Sequence, residues 1–114
     1  MIPNFIVNKL IINFKKYIFF SIIFLLIFNQ VKSDEIYNKG KKIFIEQGAC
    51  ATCHAHSDSG SDGNIGPDLD FIKPDINRVI AVVTNGVGVM PAYQDILSSE
   101  EIEAVAHYVS ISTE

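Results

Sequence analysis

Two thiols and an imidazole fall within five residues, Cys50-Ala51-Thr52-Cys53-His54. A C-x-x-C-H run is the attachment signature for covalent haem of the c type. The spacing has a physical reason. Cysteines three apart on one helical turn can each reach a vinyl-derived carbon at the porphyrin edge. The adjacent histidine can then turn its ring over the macrocycle and bind iron. Two other chemistries use the same residues. A C-x-x-C dithiol can cycle as a redox pair of the thioredoxin kind, with an incidental histidine. Zinc is the third, but it wants a second ligand pair, and the chain has no further cysteine.

Met90 is the one methionine after Met1. A lone methionine usually fills a gap in a core. Here it follows a complete C-x-x-C-H, sits in a loop with Gly86 and Gly88, and precedes Pro91. Those three features make it a candidate second ligand. Met/His ligation gives a six-coordinate iron of raised potential. Glycines 86 and 88 would let the backbone approach a flat ligand closely. Pro67 lacks an N–H, yet its carbonyl is a free acceptor. A metal-bound histidine wants its second ring nitrogen to donate to such a group. A simple Gly66-Pro67 turn is the plainer reading.

The elements that must position these groups are short. Ser33 or Asp34 can cap a helix running to Gln47, with Ile36, Ile43 and Phe44 at helical spacing and Gly48 as its stop. Gly40 lies inside it, where glycine costs about 1 kcal/mol against alanine. Either another helix crosses there at close range or the glycine is merely tolerated. After the haem signature comes a polar stretch, 56–64, read as a solvated loop with His56 exposed. It faintly resembles a calcium loop, but Leu69 stands where a bidentate Glu is needed. Pro74 suits the first turn of a second helix whose stripe is Ile76, Val79, Ile80 and Val83. A third helix opens at Ser98 with a Ser98/Glu101 capping box and a Leu97/Ile102 staple. Its buried stripe is Ile102, Val105, Ala106 and Val109. There is no internal repeat, phosphate loop or hydrolytic triad.

Residues 1–33 carry Lys9, Lys15, Lys16 and Lys32 and no acidic residue, followed and overlapped by the 12-residue apolar run 17–28. This is the pattern of an export signal, with Val31 and Ser33 at the −3 and −1 positions of a cleavage site. An uncleaved anchor is the rival. A span wants about 18 apolar residues, and Lys16 and Asn29 bound a shorter run. With no cysteine in the apolar run, a lipoprotein anchor is not expected. Residues 34–114 then hold all 13 acidic and five of the nine basic residues, a formal charge of −8. Such a chain should avoid nucleic acid and anionic lipid and be drawn to basic docking surfaces on its partners. A core of about 81 residues is thin. A disulfide between Cys50 and Cys53 would close almost no loop, whereas a flat apolar cofactor would complete the core.

The stretch 34–114 resembles a class I cytochrome c, the small monohaem type. The resemblance rests on Gly40-x-x-x-Phe44, Cys50–His54, Gly66-Pro67-x-Leu69, Asn85-Gly86-x-x-x-Met90-Pro91-Ala92-Tyr93 and the closing helix through Tyr108. It implies an all-α cytochrome c fold, three or more short helices wrapped around one covalent haem c. Cys50 and Cys53 would form the thioethers, and His54 and Met90 the axial iron bonds. The Pro67 carbonyl would accept from His54, and Leu69 would pack on the porphyrin. Gly40 and Phe44 would meet the last helix near Tyr108. The chain has no tryptophan, which some members use to hold a haem propionate; Arg78 and Tyr93 are candidates for that part, and the assignment is open.

With two protein ligands, iron has no open site, which suits outer-sphere one-electron transfer rather than catalysis. The expectation is a monomeric electron carrier in the periplasm, serving respiratory or dehydrogenase partners on the outer side of the membrane. It would touch the membrane only through partners or an uncleaved N-terminus. The alternatives are a dedicated cytochrome subunit of a membrane dehydrogenase or oxidase, a haem sensor whose Met90 dissociates, and a haem-free dithiol oxidoreductase.

Overall fold

Between Asn4 and Lys39 the sequence has no proline or glycine, and the backbone is helical throughout that stretch, in α1 (Asn4–Lys42). The computed structural model describes residues 1–114 except the side chains of residues 29–31, and it divides into two compact units, Met1–Ser33 and Asp34–Glu114. Asn29, Gln30 and Val31, read above as the end of the apolar run and the −3 position, therefore lie outside the described side chains.

In the first unit every described side chain is exposed, including Phe20, Phe24 and Leu26. By length and composition the helix could cross a membrane, a test that an N-terminal signal sequence also passes.

In the second unit Asp34 is a helical residue rather than a cap. No proline or glycine breaks the chain between Asn4 and Asp34, so the helix runs through Ser33 and Asp34 without an end to cap. The helix does stop as expected at Gly48, through a wide π turn at Ile43–Gln47 in which the Gly48 N–H donates to the Ile43 carbonyl at 2.8 Å. Ile43 and Phe44 are buried there.

The stretch 54–64 corrects the loop reading. It forms a small antiparallel hairpin, β1 (His54–His56) and β2 (Ser61–Asn64), with a bulge between His54 and Ala55. Strands of three and four residues are too short to show a period of two. The helical expectation otherwise holds, and the hairpin is an addition to it. A one-turn helix, α2 (Leu69–Ile72), follows, capped by the Asp68 carboxylate. Next comes α3 (Ile76–Asn85), whose cap is Asp75, so Pro74 stands just outside the helix rather than in its first turn.

The last helix, α4 (Ser99–Ser112), has the Ser98/Glu101 capping box in full. Its expected stripe is buried, and so are Ala104 and Tyr108. Val79 and Val83 of α3 join that core. Gly40 explains itself here. A Cβ on it would collide with the Ala104 carbonyl oxygen and lie 2.6 Å from Tyr108 Cβ, so the glycine permits a close helix crossing.

Candidate functional site

The chain enters the site through Ala49, whose φ of 50° is left-handed and uncommon for alanine. It then makes a 3-10 turn at Cys50–Thr52, closed by the Cys53 N–H donating to the Cys50 carbonyl at 3.1 Å. One tight turn thus separates the two cysteines. Both thiols are free, and both line a single cavity of about 480 Å³. That volume lies within the roughly 300–1,000 Å³ usual for small-molecule and cofactor sites.

His54, Pro67, Leu69 and Met90 line the same cavity. They arrive from four places: β1, the segment after β2, α2 and the loop between α3 and α4. The Met90 loop is held as a tight turn, with Val87 and Met90 exchanging backbone hydrogen bonds of 3.1 and 2.9 Å. Gly88 sits in that turn at φ 55°. The turn requires a glycine here, and Gly88 also lines the cavity.

His54 is oriented from behind. Its Nδ1 lies 2.8 Å from the Pro67 carbonyl oxygen. A carbonyl can only accept, so Nδ1 is the donor, which leaves Nε2 as the nitrogen turned to a ligand role. The ring also lies tight against Gly66, where a Cβ would collide with it. The backbone amides of Ile65 and Gly66 both donate to the Cys53 carbonyl, at 3.1 and 2.8 Å, and tie this segment to the thiol turn.

The walls are mainly aliphatic, from residues such as Ile65, Val79, Val83 and Val105. Arg78 is the charged side chain that lines the cavity apart from these groups. Tyr93 also lines it, but its hydroxyl donates to the Gly48 carbonyl at 2.8 Å. Burial pushes the Cys50 thiol up to about 11, with the neighbouring Cys53 adding to the rise and a backbone hydrogen bond opposing it. A redox dithiol of the thioredoxin kind needs the opposite, a lowered thiol pKa. Among the described residues no group of three or more His, Cys, Asp or Glu is placed to hold a metal, which leaves the zinc reading without ligands.

His56 was missed. It is fully buried, not exposed, with Nε2 2.9 Å from Ser112 Oγ and Nδ1 3.4 Å from Tyr108 Oη. Burial lowers its pKa, against the raising effect of Asp70 and Asp58. Its partners lie more than 50 residues away, so no local pattern could reveal them.

The residues present fit a covalent haem. Two thiols on one turn, an imidazole whose Nδ1 is engaged by Pro67 and a thioether share one apolar cavity. That donor set suits iron in a porphyrin.

Comparison with known proteins agrees. Residues 35–109 match the family described as cytochrome C oxidase, cbb3-type, subunit III. Cytochrome c6 of Cladophora glomerata is 34% identical over 85 residues, covering 66% of this chain and 87% of that protein. Cytochrome c6 of Leptolyngbya boryana is 35% identical over 74 residues, covering 61% and 85%. The crystal structure of the c-type cytochrome SorU from Sinorhizobium meliloti superposes with a TM-score of 0.68 at 48% identity, covering 70% of this chain and 93% of that one. With the matched family spanning well over half of its length, the chain belongs to the class I c-type cytochromes, and is a single-haem electron carrier whose cofactor is covalent haem c.

Proposed function

We propose that Cys50 and Cys53 carry the thioether bonds, that His54 and Met90 are the axial ligands, and that Pro67 and Leu69 shape the pocket. The observation that supports this most is the convergence of the six residues on one cavity, with His54 already turned by Pro67. Bound there, haem supplies an iron that gains and loses one electron. The protein's residues do the rest. Pro67 holds the Nδ1 proton, which fixes the ring and raises the basicity of Nε2. The aliphatic walls keep water out and favour a high potential. Arg78, the charged side chain lining the cavity, would pair with a propionate carboxylate, whereas the Tyr93 hydroxyl donates to Gly48. With both axial positions taken by protein, the role is transfer of electrons and not catalysis of bond making.

The cavity mouth carries exposed Ile65, Ile72, Val87 and Val89. This apolar rim lies on a domain of formal charge −8, counted from Asp34. It supports transient docking to redox partners whose apolar contact is ringed by basic side chains, with steering by long-range charge. Rates of reduction by such a partner should fall as ionic strength rises; a flat response counts against the charge steering.

Residues 1–33 are read as an export signal cleaved after Ser33, which would deliver the domain to the periplasm. A retained membrane anchor is the second reading, since α1 is long and apolar enough to span a bilayer. Intact-mass measurement on protein from a host able to attach haem decides both matters. The expected species begins at Asp34 and carries one haem on the peptide spanning Cys50–Cys53. Retention of residues 1–33 selects the anchor, and absence of haem overturns the site.

A further inference from the structure

Of the residues in the hairpin, 54–64, His56 is the one with a buried side chain. Its imidazole packs against Phe44 at 5.2 Å between ring centroids and meets Tyr108 edge-on at 5.2 Å. Phe44 itself lines the haem cavity. His56 makes one firm hydrogen bond, from its Nε2–H to Ser112 Oγ, while the Tyr108 hydroxyl, 3.4 Å from Nδ1, gives its proton elsewhere. Tyr108 Oη donates to Asp58 Oδ2 at 2.7 Å, and Asp58 is paired with Lys41 at 3.0 Å. Ser112 Oγ lies 2.9 Å from Nε2 and donates to the Tyr108 carbonyl at 2.6 Å.

The backbone ladder of so short a polar hairpin specifies its register weakly. Its exposed or half-buried side-chain ties, Ser61 Oγ to the His54 carbonyl at 2.9 Å and Ser57 to Asp70 at 2.7 and 2.8 Å, are open to competition from water. This hairpin also carries a bulge beside His54. A phenylalanine could fill the same space, but it could not choose between neighbouring registers by hydrogen bonding. A buried polar side chain can, since misplacing it leaves a desolvated group unpaired.

We propose that His56 is a positioning residue for His54. By docking β1 on α4 through Tyr108 and Ser112, it fixes the register of the hairpin. It thereby fixes the angle at which His54 faces the iron and the His54–Pro67 hydrogen bond. The inference rests on His54 being the proximal ligand.

The test uses the holoprotein and three variants, H56F, H56Q and S112A. H56F keeps ring volume and loses the hydrogen bond to Ser112, H56Q keeps an amide able to donate to Ser112, and S112A removes only the partner. Two readouts report on His54: solvent exchange of its Nδ1 proton, and the g-values of the ferric protein. Unfolding midpoints are measured alongside. H56F and S112A are expected to speed Nδ1 exchange by about tenfold or more, as local opening becomes easier, and to shift the g-values. H56Q should lie nearer the parent protein. Lower midpoints with both His54 readouts unchanged would overturn the proposal, leaving His56 as a stabilising residue only. If H56F yields no holoprotein, S112A decides alone. If the parent protein itself shows no histidine-ligated low-spin iron, the assignment of His54 fails first, and this inference with it.

Discussion

The Pro67 carbonyl accepts the His54 Nδ1 proton at 2.8 Å, while Gly66, next to it, leaves room for the imidazole against the backbone. One dipeptide therefore aims the ring and makes space for it. Gly66→Ala puts a Cβ into the His54 ring, so either the ring or the segment must move. The expected cost is about 1–3 kcal/mol of stability, as for other overpacked sites, with an altered ferric spectrum. Chemical denaturation and absorption spectroscopy of the holoprotein check this. A variant matching the parent in both would mean that His54 does not depend on this contact.

Gly40→Ala sets two effects of opposite sign against each other. Alanine is the better helix former by about 1 kcal/mol. Its Cβ, however, would collide with the Ala104 carbonyl and press on Tyr108. Overpacking of about 1–3 kcal/mol should outweigh the propensity gain. The denaturation midpoint should fall, and a rise would show that the helices do not cross here at contact distance.

Acid should loosen the hairpin. Hydrogen bonds from Tyr108 and Lys41 hold the Asp58 carboxyl below its usual range. A group lowered in the folded state stabilises above its unfolded pKa, about 3.9 for Asp, and that contribution is lost as pH falls through the folded value. Stability should therefore decline below about pH 4, and D58N should show a shallower decline there. Denaturation midpoints from pH 6 to pH 3 supply the comparison; identical acid limbs would remove Asp58 from the account.

Arg78 and Tyr93 should separate cleanly. Arg78→Gln removes a positive charge beside the cavity, which favours the oxidised iron, so the reduction potential should drop. Tyr93→Phe removes the bond to Gly48, worth about 0.5–1.5 kcal/mol of stability, and should leave the potential nearly unchanged. Potentiometry and denaturation of both variants test this, and the reverse pattern would assign the propionate to Tyr93.

Legibility of the sequence followed the range of the interactions. Cys50, Cys53 and His54 stand out because haem attachment is a local pattern of five residues. The capping box of α4 is local too, and it forms as Ser98 and Glu101 suggest. Met90 was singled out by the C-x-x-C-H before it, its glycines and Pro91, and it lines the same cavity as His54. His56 was misread because its burial is decided by Tyr108 and Ser112 at the far end of the chain. The hairpin was misread for its composition, since Ser, Asp and Gly favour turns and the strands are too brief to alternate visibly. The cap at Asp68 was a readable signal for α2, but one turn of helix has no periodicity to confirm it.

The claim on which the rest depends is that imidazole and thioether from this chain grip the same iron. The direct measurement is the absorption spectrum of the purified protein, oxidised and reduced, beside that of M90A, each from a host that attaches haem. The parent should show a low-spin c-type spectrum with the weak sulfur-to-iron charge-transfer band in the ferric form, and M90A should lose that band and fall in potential. A folded, colourless parent protein, or an M90A spectrum identical to the parent's, would contradict the account.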